Sequence, residues 1–172
     1  FLTTFEVLRK SKKFEVKKLY FASSSAVYGD WGNTALKENL GPLRPISNYG
    51  AMKLASEAQI SVAADDFLKQ AIIFRFPNVV GIPATHGVLY DFTKRLFLNN
   101  KELSVLGDGT QKKSYLHVDD LIDGMISVWS HWPDKKKIDI FNIGPKDDGI
   151  YVKEIAEIVT GNFENNIKIN YG

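Results

Sequence analysis

The hydrophobic positions of this chain change period several times, and each change marks an element. Phe1, Leu2, Phe5, Val7 and Leu8 recur at near-helical spacing and run into the polar segment RKSKK, which predicts a helix already under way over residues 1–11. KKLYFAS sets its apolar residues side by side, the pattern of a short strand buried on both faces. After a loop rich in Gly, Asn and Pro that reaches Pro45, SNYGAMKLASEAQISVAADDFLKQ consists of good helix formers, with Ser47 placed as an N-cap. AIIFRF, residues 71–76, is a second continuous apolar strand, and Pro77 ends it. Helix, strand, long helix, strand is the rhythm of an α/β fold in which a parallel sheet is covered on both faces. Ligands of such sheets bind beyond the carboxyl ends of the strands. The serines of FASSSAVYGD follow the first strand and PNVVGIP follows the second, so these two loops are expected on one edge.

The second half is less regular. The pattern predicts a helix over 89–99, a strand at ELSVL, a turn at GDGT and a strand at SYLHV. A helix from Asp119 to about Trp129, a strand at IDIFNI and a helix in YVKEIAEIV follow. Shorter strands and more turns imply a smaller lobe with a boundary near residue 80, from which the segment 138–144 returns to the main sheet.

Composition narrows the partners. Lys and Arg number 22 against 20 acidic residues, an excess too small to imply nucleic acid or a membrane surface. Lys135, Lys136 and Lys137 have no interleaved aromatics and read as a solvated loop. No apolar run approaches the roughly 18 residues that a membrane span needs. With no cysteine there is no disulfide, thiolate nucleophile or cysteine metal site, and a reducing, cytoplasmic location is the default expectation.

Two residue pairs are candidates for chemistry. Tyr49 and Lys53 stand four apart on a predicted helix, so both side chains share one face. A free phenol has a pKa of about 10, and a neighbouring ammonium favours the phenolate, which can then move a proton to and from an alcohol. Tyr90 and Lys94 repeat the spacing on another predicted helix, so spacing alone does not choose between them. Context does: Tyr49 stands between the serine-bearing strand end and AIIFRF, whereas Tyr90 has no preceding hydroxyl cluster and reads as packing at a helix start or lining a pocket.

FASSSAVYGD, SNYGAMK, FRFPNVVG and GDGTQKKSYLHVDD, in this order, resemble the extended short-chain dehydrogenase/reductase family, within it the nucleotide-sugar epimerases of the UDP-glucose 4-epimerase type. The likeness runs over nearly the whole chain. It implies part of a doubly wound, Rossmann-like sheet, with residues 1–79 as the C-terminal part of an NAD-binding domain and 80–172 mainly as a nucleotide-sugar-binding lobe. Tyr49 then matches the catalytic base, Lys53 the lysine that holds the nicotinamide ribose, and Ser24 the hydroxyl that assists at the reacting alcohol. Ser23 or Ser25 takes that place if the register shifts by one. Ser23, Pro77 and Val79 are implied beside the cofactor, and Ser25, Asn78, His86, Val88 and Lys113 beside the substrate, with Asn78 at its diphosphate.

Departures from the pattern are as informative. The acidic pair that serves dehydration in related enzymes is replaced by Ser25 and Ala26, which argues against water elimination. The family's arginine falls at Lys113, a point charge without bidentate geometry. No GxxGxxG or GxGxxG opens the chain, so the resemblance implies a piece that starts after the pyrophosphate loop and is inactive by itself. His117 reads as a packed or surface histidine. Asp119 and Asp120 read as the N-cap and first-turn acid of the following helix, and no metal site is expected. The implied reaction is NAD-dependent inversion at C4 of a UDP-hexose, most simply UDP-glucose and UDP-galactose. The implied partner is a second copy, bound through helices 1–11 and 47–68.

Overall fold

The computed structural model describes residues 1–32, 34–133, 137–163 and 166–172. Lys135 and Lys136 of the lysine cluster lie outside the described residues. The chain forms two compact units, Phe1–Pro77 with Ile122–Ile143, and Asn78–Leu121 with Gly144–Gly172.

In the first unit, α1 (Leu2–Lys13) leads to β1 (Lys18–Ala22). A single 3-10 turn at Ser25–Val27 precedes α2 (Asn48–Asp66) and β2 (Gln70–Arg75). The strand β7 (Ile138–Asn142) completes a three-stranded sheet of order β1-β2-β7, parallel throughout. Every residue of β2 is buried, as expected of a central strand with both faces covered. Alternation divides its side chains between those faces. Ala71 and Ile73 join Leu8, Ile60, Ala63, Ala64 and Leu68 in a core beneath α1 and α2. Phe74 turns the other way, stacking on Tyr20 at 6.5 Å and meeting Phe141 at 6.2 Å, while Trp129 closes on Tyr20 at 5.9 Å. Trp129 lies on α4 (Val118–His131), whose residues from Ile122 onward belong to this unit.

The second unit contains β3 (Asn78–Val80), α3 (Val88–Leu98), β4 (Glu102–Val105), β5 (Lys112–Lys113) and β6 (Tyr115–His117). It is completed by β8 (Ile150–Tyr151), α5 (Val152–Gly161) and β9 (Lys168–Tyr171). The strands pair in twos: β3 with β6 and β4 with β9 in parallel, β5 with β8 antiparallel. Phe92 and Leu96 of α3 pack against Leu103 and Val105 of β4 and Ile155, Ala156 and Val159 of α5. The short strands β3, β5, β8 and β9 have no counterpart in the sequence-based expectation; they are two to four residues long and, unlike β4 and β6, lie in no apolar run long enough to mark a strand. Helix α4 starts one residue earlier than expected, at Val118. Asp119 is therefore in its first turn, and its N–H donates to His117 Nδ1 at 3.3 Å. His117, exposed beside the helix start, does the capping assigned from sequence to Asp119.

Candidate active site

Because β1 and β2 are adjacent and parallel, their carboxyl ends open on one edge. The ladder continues past β1: Ser23 N–H donates to Phe74 O at 2.7 Å and Ser25 N–H to Phe76 O at 3.0 Å. Ser24 lies between them in extended backbone, and its Oγ accepts the Ala26 N–H at 3.2 Å, capping the 3-10 turn. The hydroxyl proton of Ser24 is thus left to donate elsewhere. Val27 and Tyr28 are buried behind the turn and fix it from within.

Helix α2 begins against this turn. Ser47 Oγ accepts the Gly50 N–H at 3.1 Å, and a Cβ on Gly50 would lie 2.4 Å from Ala26 O. Only glycine permits that approach. It brings the first turn of α2, with Tyr49, onto the serine turn. Tyr49 is 57% exposed, open to an incoming molecule. One turn further along, Lys53 Nζ donates to Ala22 O at 2.7 Å, and lies 5.6 Å from the Tyr49 ring centroid and 5.0 Å from that of Phe21. Burial lowers the Lys53 pKa, and the charge of Glu57 opposes the shift.

Lys94 also stacks on Tyr90, at 5.7 Å. Stacking is therefore a property of the spacing. What distinguishes Lys53 is its second bond, to the end of the serine-bearing strand.

The other sequence-based candidates fall as follows. Ser23 is 1% exposed and its Oγ–H donates to Glu57 Oε1, so its hydroxyl proton is used inside the protein. Ser25 lies in the 3-10 turn and its carbonyl accepts the Tyr28 N–H at 3.1 Å. Pro77, half-buried, follows the end of β2 in the first unit. Asn78, Val79, His86, Val88 and Lys113 belong to the second unit. There Asn78 Nδ2 donates to Ser114 O at 3.2 Å, joining the start of β3 to the chain before β6. Val79 pairs with Leu116, and His86 Nδ1 is 3.1 Å from Thr85 Oγ1 on an exposed loop. Val88 packs on the Phe92 cluster, and Lys113 is exposed in β5. Among the described residues no group of three His, Cys, Asp or Glu is arranged to hold a metal ion.

Sequence reasoning missed a buried polar cluster behind the turn. Arg75 Nη2 and Nε bind Glu57 at 2.6 and 3.1 Å, and Nη1 donates to Tyr28 OH at 3.0 Å. Tyr28 OH donates in turn to Asn142 Oδ1 at 2.8 Å. Burial works against the Arg75 charge, but the hydrogen bonds to Glu57 and Tyr28 outweigh it and raise the guanidinium's pKa. The signal was present: an arginine inside the apolar run AIIFRF requires a buried partner, and Glu57 stands four residues beyond Lys53 on the same helix face.

A phenol beside an ammonium, on the same sheet edge as a serine turn, is a candidate arrangement for moving a proton to and from an alcohol. The chain belongs to the NAD dependent epimerase/dehydratase family, whose model matches residues 1–144. It is 31% identical over 176 residues to the UDP-glucose 4-epimerase of Lactobacillus helveticus, across 90% of this chain and 52% of that protein. A crystal structure of UDP-galactose 4-epimerase superposes with a TM-score of 0.89 at 35% identity, covering 98% of this chain and 55% of that one. UDP-glucuronic acid 4-epimerase from Bacillus cereus, solved with UDP-glucuronic acid and NAD, gives 0.85 at 26% identity, over 99% and 53%. The chain spans about half the length of the curated relatives it matches. Its fold is that of the Rossmann-like epimerases, and the cofactor of its family is NAD.

Proposed function

We propose that the full protein carrying this chain is an NAD-dependent nucleotide-sugar 4-epimerase, acting most simply on UDP-glucose and UDP-galactose. The observation that carries the reading is Lys53, which joins the end of β1 to the Tyr49 ring. Its ammonium has three donors and spends one on Ala22 O, leaving two for the hydroxyls of a ribose, so the donor set fits the cofactor. Pro77 and Val79 would contribute backbone beside it. When bound, NAD supplies hydride exchange at C4. Tyr49 takes the proton of the 4-hydroxyl as C4 gives up its hydride, leaving a 4-keto sugar, and returns the proton when a hydride is delivered to the other face of C4. Ser24 donates a hydrogen bond from its hydroxyl to the reacting oxygen. Asn78 and Lys113 serve the diphosphate, with Ser25, His86 and Val88 lining the sugar nucleotide.

Dehydration is disfavoured by position. Ser25 and Ala26 follow Ser24 where acids would be needed, and the carboxylate behind them, Glu57, is buried and paired with Arg75. A nucleotide-sugar reductase would use the same Tyr49 and Lys53, and net consumption of added NAD(H) would identify it. A non-catalytic scaffold would have no use for Ser24, Tyr49 and Lys53 together. No described helix is long and apolar enough to cross a membrane. Interconversion of UDP-glucose and UDP-galactose by the full protein tests the proposal. Tyr49→Phe is expected to lower kcat by about 100-fold or more, the low end of proton-transfer catalysis; near-normal turnover would remove Tyr49 from its role.

A further inference from the structure

The Glu57–Arg75 pair sits beneath the candidate site without facing it. Glu57 is 4% exposed and Arg75 3%, and a buried ion pair is commonly no more stabilising than apolar residues of the same volume. What the pair supplies is direction. Glu57 Oε1 accepts from Ser23 Oγ and from Arg75 Nε, and Oε2 accepts from Arg75 Nη2. Arg75 Nη1 reaches Tyr28 OH at 3.0 Å and Glu38 O at 3.4 Å. Beyond Tyr28, Asn142 donates its backbone N–H to Glu38 Oε1 at 2.8 Å and its Nδ2–H to Leu36 O at 3.0 Å. The network therefore grips the serine turn at both ends, at Ser23 just before Ser24 and at Tyr28 just after the turn. It is rooted in α2 one helical turn beyond Lys53.

We propose that Glu57 and Arg75 are positioning residues, a clamp that holds the Ser23–Tyr28 turn against α2 so that Ser24 stays in register with Tyr49 and Lys53. The proposal rests on the epimerase reading for its catalytic arm only. Neither residue touches substrate, so the clamp acts on turnover through Ser24 and leaves substrate affinity alone.

Ser23→Ala removes the link at the Ser23 end of the turn while keeping the ion pair and the Arg75–Tyr28 bond. In the full protein it is expected to lower kcat for UDP-galactose about tenfold with KM within twofold. Its hydrogen exchange should quicken at least tenfold at the Val27 and Tyr28 amides, which close the turn, and stay unchanged at Ile72 and Ile73. Glu57→Leu combined with Arg75→Met fills the space with apolar groups. It should keep the cooperative thermal transition and lose about 100-fold in kcat. Adding Ser23→Ala to that double variant should cost nothing more, because coupled residues are not additive. Wild-type kcat and amide protection in Ser23→Ala, or a full further tenfold loss in the triple variant, would overturn the clamp. If the wild-type protein turns over no nucleotide sugar, the epimerase reading fails separately, and the exchange measurement alone decides the clamp.

Discussion

Lys53 does two things with one charge. It binds a backbone carbonyl, a bond that protonation strengthens, and it faces the Tyr49 ring as a cation only while protonated. Burial lowers its pKa below the ordinary lysine value of 10.5. The unfolded chain therefore holds more protons than the folded one in the window just under that value, and this residue's contribution to stability rises with pH there. Turnover, which needs the ammonium, falls through the same window. The alkaline limb of kcat is thus expected below pH 10.5 while the thermal midpoint of wild type, relative to Lys53→Met, climbs. A pH series of both quantities checks the opposed signs; parallel trends would show that Lys53 is not the group being titrated.

At the scale of elements, the contact between α2 and the serine turn decides the site. Gly50→Ala would press a methyl against Ala26 O and Pro45 Cβ, at 2.4 and 3.1 Å, and the first of these is backbone that cannot rotate away. Overpacking of this kind costs about 1–3 kcal/mol. Denaturant unfolding should show that loss, and kcat should fall with it because Tyr49 moves with its neighbour. Much of the first unit was legible because its elements carry a clear period: KKLYFAS, AIIFRF and the helix capped by Ser47 lie within a residue or two of their observed bounds. Tyr49 and Lys53 were legible because helical spacing puts them on one face. The Glu57 partnership was signalled on one side only, by an arginine inside AIIFRF; which carboxylate answers it depends on how α2 packs on β2, across a separation of 18 residues. The inward turn of Ser23 was equally hidden, for three consecutive serines look alike until strand alternation sorts them.

For the whole molecule, each unit has its own core, so damage to one is expected to be read in that one first. Leu96→Ala, at a fully buried position of the second unit, should cost about 2–5 kcal/mol. Hydrogen exchange should report the loss at β4 and α5 more strongly than at β2. Leu2, Phe5, Met52 and Val62 are exposed apolar residues on α1 and α2, the helices through which the family resemblance implies that two copies pair. Val62→Lys in the full protein is expected to shift sedimentation toward the monomer; an unchanged dimer would place the interface elsewhere. The 172-residue chain alone, which holds no Gly-rich strand-to-helix turn, should bind NAD weakly in a calorimetric titration, and tight binding would contradict that expectation.

The bond from Lys53 to Ala22 O has a bearing on how such a protein can change over generations. Its acceptor is main chain, and every amino acid carries that same oxygen. The codon for residue 22 can drift without loosening the lysine, so half of this anchor has no mutational address. Inheritance has to guard only the other half, the codon for Lys53.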